Sequence, residues 1–242
     1  GIFKVVFTAG GPGSGKSFIA GKAGLGKFSA FGMKTVNSDN IFEKLLKDAQ
    51  MEPIPQQIFS PKGQEIRGRA KALTQKRQKG YLQGRLGLVV DGTGKDYKKI
   101  KQMSDSLRAL GYTSYMLFVN TSLDVAQQRN MMRARKLDKN EVEIMWKAVQ
   151  QNMGKFQQYF GRQNFILVDN NSPSQDVLND LYVQMEKIVK EPVTHRAALA
   201  WMKGRNKAPM HRDPVPLPGG GTLGNFWSWC KHKRLCGRPP YD

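Results

Sequence analysis

The sequence has few cysteines and few acidic residues for its length. Of 242 residues only Cys230 and Cys236 are cysteine, so no disulfide framework carries the fold. No run approaches the roughly 20 apolar residues of a membrane span. The first residues enter a strand-like run and not a signal sequence. We therefore expect a soluble, cytoplasmic protein that makes no use of a membrane.

Because acidic residues are few, the chain has a large positive net charge. There are 39 Lys and Arg against 19 Asp and Glu, a net charge of +20. A net charge of this size gives information about the binding partner and not about the fold. When a basic protein binds a polyanion, counterions are released and the affinity rises. Nucleic acid, with DNA favoured, is the predicted partner. The alternative is a basic enzyme that handles small phosphate compounds.

Apolar runs alternate with helical patterns along most of the chain. Short buried strands are predicted at 2–9, 33–39, 86–92, 113–120 and 164–170. Helical stretches lie between and after them, and Asn40 and Glu43 have the spacing of a capping box. The predicted class is α/β, with a five-stranded, mostly parallel sheet flanked by helices. This domain is expected over 1–191.

The composition changes after Pro192. Residues 192–242 are rich in Pro and Gly and carry nine Lys and Arg against two Asp. We expect a basic extension, whose aromatics either dock on the domain or stack on nucleic-acid bases. A zinc site at Cys230, His232 and Cys236 is a weaker alternative, because the spacing is unfamiliar.

The stretch GGPGSGKS at residues 10–17 fits the phosphate-binding pattern G-x-x-x-x-G-K-[ST]. Its glycines let backbone amides turn toward phosphate oxygens, and the helix that follows adds its positive end. Lys16 can reach the β- and γ-phosphates, and Ser17 can ligate Mg²⁺. The predicted cofactors are ATP and Mg²⁺, and the binding residues are Gly11, Gly13, Ser14, Gly15, Lys16 and Ser17.

Two acids follow predicted strands. Asp91 ends LVVD and is expected near Mg²⁺, acting through water, although an Asp-Gly turn is the alternative. Asp39 ends KTVNSD, where a carboxylate could accept a proton from a substrate hydroxyl that attacks the γ-phosphate. Helix capping is the alternative for Asp39.

Basic residues occur in two groups. Arg129 and Arg133 lie four residues apart on one helical face, which suits a lid that stabilises a transferred phosphoryl group. Residues 62–85 carry eight Lys and Arg against one Glu. This stretch predicts a track for a nucleic-acid backbone. A solvated helix face is the alternative for both groups. The predicted nucleic-acid contacts are Arg67, Arg69, Lys76 and Arg77 in this stretch, and Arg135 after the lid arginines.

GGPGSGKS, VNSD, VVDGTG, FVNTSLDVAQQRN with MMRARK, and MWKAVQQNMGKF occur here in an order that resembles small P-loop kinases. These belong to the polynucleotide kinase and zeta-toxin-like group, common in bacteriophages, and the resemblance covers about residues 2–190. It implies a hydroxyl kinase with an adenylate-kinase-like sheet and an arginine lid. Lys16 and Ser17 match the phosphate and Mg²⁺ residues, Asp39 the general base, and Arg129 and Arg133 the lid. Adenine contacts are expected around Asn170.

One position departs from the polynucleotide kinase pattern. The arginine that helps hold the acceptor phosphate, three residues after the base, is Phe42 here. Acceptor recognition should therefore differ. The acceptor is expected to be a base substituent, such as the hydroxymethyl group of 5-hydroxymethyluracil in DNA, or a 5′-hydroxyl end. A zeta-like nucleotide-sugar kinase and a nucleotide-switched DNA-binding ATPase remain alternatives.

Overall fold

The structure, a computed structural model, describes residues 2–16, 18–19, 32–132, 136–172 and 174–207. Its centre is a five-stranded sheet in the order β2-β3-β1-β4-β5, in which every strand pairing is parallel. The strands are β1 (Lys4–Ala9), β2 (Lys34–Val36), β3 (Leu88–Val90), β4 (Thr113–Asn120) and β5 (Phe165–Asp169). All five predicted strands are confirmed.

Helices connect the strands, as parallel pairing requires. They are α1 (Asp39–Asp48), α2 (Pro55–Ile58), α3 (Pro61–Gln83), α4 (Tyr97–Ala109), α5 (Leu123–Met131), α6 (Lys139–Phe160), α7 (Gln175–Lys190) and α8 (Arg196–Lys207). The predicted α/β class is confirmed. The capping box at Asn40 is wrong, because the N-cap of α1 is Ser38, two residues earlier, and Asn40 lies inside the helix.

Two helices were not predicted. The short helix α2 starts with Pro55 at a position that needs no backbone donor. The last helix, α8, lies within the stretch whose Pro and Gly content predicted an extension. Its AALAW segment consists largely of helix-forming residues, which a composition average over 192–242 conceals.

The apolar residues form separate clusters. The larger cluster covers the sheet and includes Val6, Val89, Leu117 and Leu181. A second cluster joins α1, α2 and α3 and contains Phe42, Leu46, Ile58, Ile66 and Ala70. These three helices follow β2 and precede β3, and residues 39–83 are called the helical insert below. The insert therefore has a core of its own beside the sheet.

The chain divides into two compact units, Gly1–Leu199 and Ala200–Asp242. The first unit contains the sheet, and in it a side chain on Gly111 would collide with Ala198 of α8. The second unit is described over 200–207, which are the last turns of α8. The predicted zinc ligands Cys230, His232 and Cys236 and the tail aromatics Phe226, Trp227 and Trp229 lie outside the described residues. Within the described part of the chain, no helix is long and apolar enough to cross a membrane.

A buried lysine on β1 is neutralised by a glutamate after α7. Lys4 is 1% exposed, and its Nζ lies 3.2 Å from Oε2 of Glu191. The Tyr115 hydroxyl also donates a hydrogen bond to Glu191. This hydrogen bond and the Lys4 ammonium lower the pKa of Glu191 below its ordinary value. The Glu191 carboxylate thus links the end of α7 to β1 and β4 through Lys4 and Tyr115.

Replacing Glu191 with Gln should lower the unfolding free energy at neutral pH by about 1–3 kcal/mol, because the buried Lys4 charge loses its counter-charge. The folded-state pKa is depressed, so the stabilisation is complete above the unfolded pKa of about 4.3 and disappears as the pH falls through the folded value. Urea unfolding at pH 7 and pH 3 measures this. The difference between wild type and variant should shrink at pH 3.

Glu186→Gln is the matched control, because Glu186 lies in α7, just before Glu191, and pairs with the exposed Lys190. Its effect should stay within about 0.5 kcal/mol at both pH values. Equal losses in the two variants would contradict the role given to Lys4.

Candidate active site

Three polar side chains gather at the carboxyl-terminal edge of the sheet because parallel strands end together there. The register pairs Phe7 with Val90, and Val90 with Val36. The next residues along these strands are Thr8, Asp91 and Asn37, which consequently lie side by side. The loop from Gly10 to Lys16 follows β1 at the same edge. In open parallel sheets this edge, where the strand order reverses, is the usual ligand crevice.

The loop after β1 has a conformation that requires glycine. Gly13 and Gly15 have φ values of 75° and 77°. A Cβ on Gly13 would overlap the carbonyl oxygen of Ala126 in α5, and one on Gly15 would overlap the side-chain amide of Asn170. The Gly10 amide donates to the Thr93 carbonyl at 3.0 Å, and a helical turn begins at Lys16. The backbone therefore forms the tight turn that the motif predicts.

Asp91 is the centre of a hydrogen-bonded group. Its Oδ1 accepts from the Lys16 ammonium and from the Thr8 hydroxyl, the latter at 2.7 Å. Its Oδ2 accepts from the Asn37 side-chain amide at 2.8 Å. The side chains of Lys16 and Asp91 are only 15% and 19% exposed, so water screens this ion pair weakly. The expected phosphate-binding lysine and the expected Mg²⁺-associated acid thus contact each other directly.

Asp39 is the first residue of α1 and its side chain is exposed. Its backbone N–H donates to Oδ1 of Asn37 at 2.7 Å. Ser38 occupies the N-cap position, so Asp39 does not cap this helix, and no described residue hydrogen-bonds or ion-pairs with its carboxylate. The carboxylate is therefore available to a substrate at the crevice.

Asn37 joins the two acids and was missed in the sequence. One end of its amide binds Asp91 and the other accepts from the Asp39 backbone. The available signal was an Asn two residues before an Asp at a helix start, which is the pattern of an Asx turn. That pattern predicts the bond to Asp39 but not the bond to Asp91, which is 54 residues away.

Replacing Asn37 with Ala should lower the unfolding free energy by about 1–3 kcal/mol, because a hydrogen bond to a carboxylate and a helix-start bond are lost. Asn37→Asp should cost more, because a second carboxylate would face Oδ2 of Asp91 at about 2.8 Å. Urea denaturation of the three proteins tests the order. If the Asp variant is as stable as wild type, Asn37 does not bind Asp91.

Asn170 and Arg129 lie beside the loop. Asn170 is 1% exposed, and its Nδ2 donates to the Ser14 carbonyl at 2.7 Å. Nη2 of Arg129 donates to the Asn171 carbonyl at 3.3 Å. Nη1 of Arg129 lies 3.4 Å from where a Cβ of Gly15 would be, and it is buried with no acceptor in the described part of the chain. A phosphate bound in the loop would supply an acceptor for it.

Gly11 packs against α6. Its missing Cβ would lie 3.6 Å from Cα of Trp146, whose indole N–H donates to the Thr121 carbonyl at 2.8 Å. The loop is thus enclosed by α5, α6 and the turn after β5. Trp146 lies in the segment MWKAVQQNMGKF, but the sequence did not predict its contact with the loop, because the contact joins segments far apart in the chain.

The predicted nucleic-acid residues have different surroundings in the structure. Arg67 lies within the helical insert, with its guanidinium carbon 4.4 Å from the ring centroid of Phe42. Arg69, Lys76 and Arg77 are exposed along α3. Ser17, Arg133 and Arg135 lie outside the described residues, so the predicted Mg²⁺ hydroxyl and the second lid arginine remain predictions.

The fold and the glycine loop with Lys16 and Asp91 define a P-loop protein of the α/β class, with the sheet of the P-loop kinases. Residues 5–157 match the family model AAA_33, an AAA domain, and the chain belongs to that family. No curated protein matches the sequence.

Among solved structures, a putative kinase from Chloroflexus aurantiacus has 13% identity and a TM-score of 0.52. The match covers 76% of this chain and 97% of that one. The AvrRxo1-ORF1:AvrRxo1-ORF2 complex with sulphate ions has 18% identity and a TM-score of 0.53. Here the match covers 69% of this chain and 54% of the other, about half of its length. These similarities concern the fold.

Proposed function

We propose that this protein is an ATP-dependent kinase that transfers the γ-phosphate to a hydroxyl group on DNA. The observation that carries the proposal is the position of Asp39: its carboxylate is exposed, and its backbone N–H is linked through Asn37 and Asp91 to Lys16 of the phosphate loop. A general base must lie within reach of the hydroxyl that attacks the γ-phosphate. Asp39 has no competing partner among the described residues, which leaves it free for this role.

The loop fits ATP. Gly13 and Gly15 allow the tight positive-φ turn of a phosphate loop, and the Lys16 ammonium and the Arg129 Nη1, which has no acceptor among the described residues, offer positive donors beside it. Lys16 would bind the β- and γ-phosphates, and Arg129 would stabilise charge on the transferred group. Mg²⁺ would be held near Asp91 and Ser17 and would neutralise the phosphate oxygens. Among the described residues no cluster of three acidic, His or Cys side chains competes for a metal ion.

The acceptor side favours nucleic acid. The insert that begins with Asp39 continues into α3, which exposes Arg69, Lys76 and Arg77. Such a row of cations suits the phosphate backbone of a strand whose hydroxyl reaches Asp39. The two acceptors that we propose are the hydroxymethyl group of 5-hydroxymethyluracil in DNA and a 5′-hydroxyl end. The base substituent would have to leave the helical stack before it reacts.

The test uses γ-labelled ATP with three acceptors: DNA with a 5′-hydroxyl, DNA containing 5-hydroxymethyluracil, and a nucleotide-sugar mixture. We expect label on DNA, with an acceptor KM that rises steeply between low and moderate salt because phosphate contacts release counterions. Comparison of the two DNAs then identifies the hydroxyl.

Two outcomes would overturn the proposal. Label only on the nucleotide sugars would indicate a small-molecule kinase. ATP hydrolysis stimulated by DNA, without incorporation of label, would indicate a nucleotide-switched ATPase.

A further inference from the structure

The helical insert holds one arginine in a fixed position. The Phe42 ring is 4% exposed and packs in the cluster with Leu46, Ile58 and Ile66. The Arg67 guanidinium carbon lies 4.4 Å from the centre of this ring, well inside the range of a cation–π interaction. Because α1 and α3 share that core, the ring cannot swing away from the arginine. Arg67 therefore differs from the exposed cations of α3, which are free to adopt many rotamers.

The Arg67 guanidinium has no acidic partner among the residues that the structure describes. The ion pairs of the described residues involve Lys4, Lys16, Lys101, Lys147 and Lys190, and none involves Arg67. A guanidinium carries five N–H donors, and stacking on a ring occupies none of them in its plane. A half-buried, immobilised arginine with unassigned donors is suited to bidentate binding of a phosphate.

Arg67 stacks on a residue that follows the proposed base by about one helical turn. Phe42 is three residues after Asp39, so the two are neighbours on the surface of α1, about 4.5 Å apart along the helix axis. The residue on which the guanidinium stacks is thus about one helical turn from Asp39. A hydroxyl that reaches Asp39 would bring the nearest phosphate of the same molecule toward Arg67.

We propose that Arg67, held on the Phe42 ring, binds the phosphodiester nearest the accepting hydroxyl and thereby positions that hydroxyl at Asp39. The inference rests on the proposed function and makes it more specific: the acceptor is recognised through an anion beside its hydroxyl. The phosphodiester of a DNA strand is the proposed source of this anion. A free nucleotide is the other source with the same chemistry.

The experiment combines a protein change with a substrate change. Arg67→Gln is compared with wild type on two short DNA acceptors, one natural and one with a neutral methylphosphonate at the linkage nearest the hydroxyl. With wild type, the methylphosphonate should raise the acceptor KM about 10- to 100-fold, as expected for a charge-assisted hydrogen bond. With Arg67→Gln, KM should already be raised by that factor and should not rise further. The KM for ATP should not change.

Two controls make the comparison specific. Arg162→Gln removes the same group from an exposed residue in the turn before β5, at the opposite edge of the sheet, and should behave as wild type. Phe42→Leu keeps the insert core apolar but removes the ring, so it should raise the acceptor KM in the same direction as Arg67→Gln. Thermal unfolding of each variant shows whether the insert remains folded.

Failure of this inference can be separated from failure of the proposed function. The dissociation constants of both DNAs for Asp39→Asn, with and without Arg67→Gln, are measured by fluorescence anisotropy and require no catalysis. Equal effects of Arg67→Gln on the natural and the methylphosphonate DNA, in KM and in binding, would overturn the role of Arg67. Dependence on Arg67 with a nucleotide monophosphate but not with DNA would overturn the choice of DNA as the source. DNA labelling that persists in either case leaves the kinase intact.

Discussion

Asp39→Asn should lower the rate of phosphoryl transfer about 10²- to 10⁴-fold and leave ATP affinity nearly unchanged. Asparagine has the same shape but cannot accept the proton of the acceptor hydroxyl. The bond from the residue 39 backbone to Asn37 does not involve the altered side chain, so the crevice should keep its geometry. Single-turnover transfer from labelled ATP measures the rate, and isothermal titration calorimetry measures ATP binding.

Asp48→Asn is the control for this change. Asp48 is exposed in the last turn of the same helix, so the substitution makes the same charge change away from the crevice. Its transfer rate should equal that of wild type. Full activity of Asp39→Asn would show that another group accepts the proton.

Gly13→Ala should abolish ATP binding and lower the unfolding free energy by about 2–4 kcal/mol. Gly13 has a φ of 75°, which costs an alanine free energy, and the new Cβ would meet the Ala126 carbonyl of α5, which is backbone and cannot rotate away. The loop or the helix must move, and the amides that face the phosphates move with it. Thermal unfolding should show a decrease in Tm of about 2–4 °C per kcal/mol.

Gly154→Ala tests the opposite sign. Gly154 is exposed within α6, and nothing lies within 4 Å of the position of a new Cβ. Alanine should stabilise that helix by up to about 1 kcal/mol. If Gly13→Ala bound ATP and melted like wild type, the close packing of the loop on α5 would be wrong.

The elements of this fold were predictable because their signals are local. Residues 4–9 and 113–120 are apolar runs bounded by turn residues, and the glycine loop follows a strand as its motif requires. The alternation of strands and helices also predicts parallel pairing. From these features Asp91 could be assigned to the position after a strand. Asp39 was expected to end a strand, but β2 ends at Val36 and Asp39 begins α1.

The connections inside the site were not predictable, since they join distant segments. The strand order places β3 between β2 and β1, and this order alone brings Asp91 against both Lys16 and Asn37. Similarly, Phe42 could be recognised as a departure from a motif, but its contact with Arg67 is set by the packing of α1 on α3. Side-chain partners of this kind depend on tertiary geometry and leave no periodic signal.

The contact between Lys16 and Asp91 makes nucleotide binding an exchange of counter-ions. The lysine is already neutralised by the carboxylate, so a phosphate gains its attraction only by displacing that carboxylate. Asp91 is then left with the neutral donors Thr8 and Asn37, and a cation in the crevice restores the lost compensation. A phosphate would free Asp91 from Lys16, and a cation would offset the charge of the freed carboxylate. Each ligand should therefore raise the affinity for the other.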